Sequence, residues 1–103
     1  MAGEFVLEAD GDMLRFFARI ADEMVERLGI DRAEAVARIN DAWAEVEFEP
    51  YPDLVCHEPP GYWALELYYD EVRSWSPLAD RSDWEARPLP PAHSPAWTLP
   101  RTG

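Results

Sequence analysis

Two runs of apolar residues at helical spacing, separated by only a few residues, constrain this chain more than any other feature. Met13, Phe16, Phe17, Ile20, Met24, Val25 and Leu28 mark the first run, which predicts a helix over residues 12–28 with Asp12 as N-cap. Gly29 then supplies a residue that tolerates the left-handed conformation of a helix stop. Asp31, with Glu34 three positions on, resembles a capping box and starts the second run. Val36, Ile39, Trp43 and Val46 repeat there at helical spacing among five alanines. So short a junction makes the two helices neighbours, and a helical hairpin is the expected nucleus of the fold.

Pro50 and Pro52 end regular structure after the hairpin. Leu54-Val55-Cys56-His57 reads as a buried turn or a short strand, and Glu58-Pro59-Pro60-Gly61 as a helix entry. A third helix is expected over residues 60–71, where Tyr62, Trp63, Ala64, Leu65, Leu67, Tyr68 and Tyr69 leave only Glu66 polar. The aromatics also suit a strand, but Ala64-Leu65-Glu66-Leu67 favours helix. Beyond Val72 the prolines at 77, 88, 90, 91, 95 and 100 forbid a long helix. Trp75, Trp84 and Trp97, with Leu78, Leu89 and Leu99 between them, give that segment large apolar groups to bury. The expectation is a mainly α fold: a helical core domain over 1–75, and a long, Pro-rich, irregular C-terminal tail over 76–103 packed on the core or on a partner.

Charge narrows the function classes. The chain of 103 residues carries 21 acidic groups against nine basic ones, all arginine, for a net charge of −12. Such a field repels phosphate backbones and anionic membrane surfaces and speeds encounter with basic partners, although acidity also simply keeps a protein soluble. The hairpin is not read as a DNA-binding unit, because its second helix offers only Arg32 and Arg38 among Asp31, Glu34, Asp41, Glu45 and Glu47. No run approaches the roughly 18 apolar residues of a membrane span, and Met1-Ala2-Gly3-Glu4-Phe5 lacks the basic region of a secretory signal. Cys56 is the single cysteine, so no intrachain disulfide forms, which fits a reducing cytoplasm. A cytoplasmic protein with neither nucleic acid nor membrane as partner is expected.

Catalytic patterns are sparse. Cys56-His57-Glu58 gathers three reactive types, but neighbours in an extended chain face opposite ways and cannot pair as nucleophile and base unless His93 comes round. A buried, inert cysteine is the plainer reading. No C-x-x-C, H-E-x-x-H, calcium loop, glycine-rich phosphate loop or Gly-x-Ser-x-Gly occurs, so no metal or cofactor is expected. The aromatic middle carries the binding chemistry instead. Tyrosine and tryptophan dominate interface hot spots, and carboxylates beside them suit an arginine- or lysine-rich partner. Glu47, Glu49, Tyr51, Asp53, Glu58, Tyr62, Tyr69 and Asp70 are the candidate partner-binding residues, against the plainer reading that most of the rings are core.

His57-Glu58-Pro59-Pro60-Gly61-Tyr62-Trp63-Ala64, with tyrosines just after it, resembles a segment of small bacterial proteins of the immunity and antitoxin type. The resemblance spans these residues alone and assigns none of them a role. It implies a non-enzymatic acidic module that neutralises a basic partner. A small accessory subunit or homo-oligomer using the aromatic helix as interface is the alternative, and a cysteine-dependent enzyme the third.

Overall fold

The structure, a computed structural model, describes residues 3–100. Three helices, α1 (Gly11–Leu28), α2 (Arg32–Ala42) and α3 (Pro60–Tyr68), and one 3₁₀ turn (Leu54–His57) make up its regular structure, with no named strand among the described residues. No helix among them is long and apolar enough to cross a membrane.

The hairpin is closed by the chemistry at its ends. Asp10, two residues earlier than the Asp12 that the sequence suggests, caps α1 by accepting the Met13 N–H at 2.9 Å. Gly29 adopts φ 69° and donates its N–H to the Val25 carbonyl, a left-handed stop that a side chain would strain. Asp31 caps α2 by accepting the Glu34 N–H at 2.8 Å. The apolar faces then meet: Met13, Phe16, Phe17, Ile20, Ala21 and Met24 of α1 bury against Val36 and Ile39 of α2 and Ala64 and Leu67 of α3. α3 lies chiefly against α1.

Two helices end earlier than the apolar spacing implies. α2 stops at Ala42, and Trp43 turns inward as its C-cap while Val46 stays exposed. Glu45, Glu47 and Glu49 would have crowded the negative end of a longer helix. α3 stops at Tyr68, because Tyr69 turns extended and pairs with Ala86 in an isolated antiparallel bridge. Asp70 N–H to Glu85 O at 2.9 Å and Arg87 N–H to Tyr68 O at 2.7 Å close the intervening residues into a loop.

Phe17 sits at the centre of a ring cluster, with Phe5, Phe16, Trp43 and Phe48 centroids 4.9–6.4 Å away at tilted or edge-on angles. Trp63 meets Trp43 edge-on at 5.3 Å, joining α3 to this cluster. Two buried polar residues of α2 bind the flanking chain. Asn40, 1% exposed, accepts the Val6 N–H at 3.0 Å and donates to the carbonyls of Glu4 at 3.1 Å and Ala96 at 3.0 Å. Thr98 adds a hydroxyl bond to the same Glu4 carbonyl. Arg38, 6% exposed, pairs with Glu34 at 2.8 Å, donates to the Arg87 carbonyl at 2.8 Å and lies 4.6 Å over the Tyr68 ring. Through these groups the N-terminal segment and residues 86–98 are fastened to one helix.

Candidate functional site

Among the described residues, the segment between α2 and the 3₁₀ turn is built without ion pairs. Asp53 holds it together by accepting the Glu49 N–H at 2.7 Å and the Val55 N–H at 3.0 Å, which also caps the turn. Asp10 uses its second carboxylate oxygen to accept the Tyr51 N–H at 2.9 Å, tying the loop to the start of α1. The Met13 and Tyr51 N–H groups together hold the Asp10 carboxyl below the usual aspartate range. Phe48 anchors the loop from beneath, 4.9 Å from Phe17, and Trp63 Nε1 donates to the Val55 carbonyl at 2.8 Å. The Tyr51–Pro52 peptide is cis.

This anchoring leaves the charged groups outside. Glu47 and Glu49 are exposed and Tyr51 is 49% exposed. A groove of about 1130 Å³ runs between the loop and the N-terminal segment, lined by Val6, Glu8, Asp10, Glu45, Val46 and Glu47 among others. Half-exposed Val6 and Val46 put apolar surface among its carboxylates.

The eight residues singled out from sequence fall into three places. Glu47, Glu49, Tyr51 and Asp53 share the loop, with Asp53 turned to its backbone work. Glu58 and Tyr62 line a separate cavity of about 770 Å³ beside α1. Tyr69 packs edge-on against Trp84, at 5.2 Å, and Asp70 lies at the bridge that closes the 70–86 loop. Tyr62 and Tyr69 would share a face of an unbroken helix, but α3 ends between them.

The charge is distributed as unevenly as the rings. Ion pairs join Glu4 and Asp22 to Arg32, Asp12 to Arg15, Glu23 to Arg27 and Glu34 to Arg38. Between Ile39 and Val72 there are nine carboxylates and no arginine, so this third of the chain holds nine of the twelve net negative charges. Among the described residues no ion pair reaches the eight carboxylates from Asp41 to Asp70. That imbalance was open to inspection in the sequence, as the interval between Arg38 and Arg73.

Cys56 is half-buried with Sγ 3.7 Å from the Met13 sulfur. Burial pushes its thiol pKa up, away from what an activated thiolate needs. His57 and His93 are both exposed. No group of three or more His, Cys, Asp or Glu side chains among the described residues is arranged to hold a metal ion.

The cavity with Glu58 and Tyr62 went unnoticed in the sequence. Arg19, Glu23 and Arg27, four residues apart along α1, form one side of it, and Arg81 and Trp75 of the 70–86 loop form the other. The spacing on α1 was a visible signal, while the approach of Arg81 depends on the Tyr69–Ala86 bridge. No protein-family model matches the chain, and neither the curated proteins nor the solved structures contain a significant match to it.

Proposed function

We propose that this protein is a non-enzymatic binding module of the immunity or antitoxin kind, which captures and neutralises a basic protein partner in the cytoplasm. The observation that carries the reading is the arginine-free interval from 39 to 72, whose loop presents Glu47, Glu49 and half-exposed Tyr51 with no ion pair to either carboxylate among the described residues. Unpaired surface carboxylates steer a cationic partner into encounter, and half-exposed Tyr51 and Val46 on the same loop give it something to hold after contact. Glu58, Tyr62, Tyr69 and Asp70 belong to other parts of the surface, so the loop is the proposed first point of contact.

The test is binding to the products of the genes beside its own, with rates measured at about 50 and about 500 mM salt. Steered capture requires the association rate to fall at least about tenfold across that range. Replacing Glu47 and Glu49 by glutamine should slow association more than it speeds dissociation. Binding whose rates ignore salt, or a partner without excess positive charge, overturns the reading.

The alternative, an accessory subunit or homo-oligomer, draws on one observation. Leu78 is 92% exposed close to half-exposed Trp75 on the 70–86 loop, an apolar pairing that a second chain would cover. Sedimentation decides it: a monomer at high concentration removes the homo-oligomer.

A further inference from the structure

The cavity beside α1 is distinct from the acidic loop, and its chemistry points to a different class of ligand. We propose that it binds a small aromatic carboxylate, with the Tyr62–Trp75 wall taking the ring and Arg19 and Arg81 taking the carboxylate. Four observations converge on this, none of which depends on the partner reading above.

The first is size: about 770 Å³ lies within the range of sites that enclose small organic molecules. The second is the wall. Tyr62 and Trp75 stack nearly parallel, centroids 4.7 Å apart and 12° between planes, and Leu65 and Pro60 continue the apolar lining. Stacking holds Trp75 in place although it is half exposed, so the two rings make a preformed aromatic part of the lining.

The third is the arginines. In a chain of net charge −12, three of the eight described arginines line this one cavity. Arg27 is engaged by Glu23 at 2.6 Å. Arg19 has no partner among the described residues. Arg81 donates from Nη2 to the Ser76 carbonyl at 3.3 Å and lies 5.5 Å over the Trp84 ring, while its Nε is buried with no hydrogen-bond partner. With Nε buried, the terminal amino groups are what Arg81 offers a carboxylate, in a charge-assisted bond.

The fourth is the start of α3. Its N-cap, Pro59, has no side chain able to cap, Pro60 has no N–H and Tyr62 donates its own to the Pro59 carbonyl at 3.0 Å, so at this end of a nine-residue helix, which lines the cavity, Gly61 supplies the backbone donor, beside the Glu23–Arg27 pair. The acidic lining residues do not cancel these groups. Asp22 is bound to Arg32 and Glu23 to Arg27, which leaves Glu58 alone unpaired. Glu58 is placed to take an ammonium group where the ligand carries one, so aromatic amino acids fall within the class.

Calorimetric titration of the full chain with three naphthalene probes tests this. 2-Naphthylacetate carries the acid, 2-naphthylalanine carries acid and amine, and 2-naphthylethylamine carries the amine alone. The expected result is one-to-one binding of the acid with Kd below about 1 mM, and at least about tenfold weaker binding of the amine. Tighter binding of naphthylalanine than of naphthylacetate supports the site and assigns Glu58 to the ammonium. Arg19→Gln and Arg81→Gln should each weaken the acid at least about fivefold. Arg19 is exposed and partnerless, so its variant keeps the parent fold if Arg81→Gln loosens the 70–86 loop. Equal affinity for acid and amine, no binding of either acid, or unchanged affinity in Arg19→Gln overturns the proposal.

Discussion

Asn40 joins residues 4–6 to Ala96, and its replacement should cost far more than a polar-to-alanine change usually does. Its amide closes three hydrogen bonds to residues 34, 36 and 56 positions away. In Asn40→Ala the Glu4 carbonyl keeps its bond from Thr98, so two groups are orphaned: the Val6 N–H and the Ala96 carbonyl. An orphaned buried group costs about 1–3 kcal/mol. Val6 is half exposed and water reaches it, which puts its share at the low end, while Ala96 is buried. The sum is about 2–4 kcal/mol, against a total stability of about 5–15 kcal/mol for a domain of this kind. The melting temperature should fall by roughly 10–20 °C. Asn40→Asp sharpens the test. A carboxylate there accepts the Val6 N–H but faces two carbonyls with no proton to offer, so the folded state favours the protonated acid and its pKa rises. The cost is therefore smallest below the ordinary aspartate pKa of about 3.9 and grows as the pH rises above it. Urea unfolding at pH 3 and pH 7 reads both effects. A loss under about 0.5 kcal/mol for Asn40→Ala, or an Asn40→Asp loss that does not grow with pH, refutes the assignment of Asn40 as the junction.

Three further outcomes follow from local geometry. Asp10 is held below the usual aspartate range by the Met13 and Tyr51 N–H groups, so its anchoring of the loop is complete above that range and is lost as the pH falls through the lowered value; the protection of the Tyr51 amide, its exchange rate divided into the intrinsic rate at each pH, should drop only at the acid end. Gly29→Ala places a side chain at φ 69° and should cost about 1 kcal/mol by thermal unfolding, with no effect on any binding. Arg38→Met leaves Glu34 without its cation and the Arg87 carbonyl without its donor; a loss of about 3 kcal/mol is expected in denaturant titration, and a neutral result would mean the pair is dispensable.

The hairpin was legible because each of its determinants is local. Apolar spacing set the buried faces, and Gly29, Asp31 and Glu34 sit within a few residues of the bonds they make. The α1 cap was misplaced by two residues because Asp10 and Asp12 are equally good by type, and what distinguishes Asp10 is a second bond to Tyr51, 41 positions away. Val46 fits the α2 spacing yet lies outside the helix, since periodicity registers apolar residues without registering the carboxylates between them. Asn40 gave no sign of its role, because all three of its partners are backbone groups of distant segments. The candidate site was half legible for the same reason. Glu47 to Asp53 are contiguous, whereas Tyr62 and Tyr69 part company where a backbone bridge to Ala86 ends α3.

The carboxylates of Glu45, Glu47 and Glu49 make no bond that holds the acidic loop among the described residues, and this separates the functional reading from the structural one. Backbone bonds to Asp53 and Asp10, the Phe48 ring and the Trp63 indole hold residues 43–58 in place. Glu45, Glu47 and Glu49 take no part through their carboxylates, which stand near one another with no cation among the described residues. Like charges so placed repel in the folded state, and the effect is modest because they are exposed. Replacing all three by glutamine should therefore leave unfolding stability within about 0.5 kcal/mol of the parent, or raise it slightly at low salt. The same variant should bind a cationic partner with a slower association rate. Both results together would mark a surface shaped by a partner, as the proposed function requires. If the triple variant instead loses more than about 1 kcal/mol, the carboxylates stabilise the loop after all, and their lack of cations ceases to argue for anything beyond it.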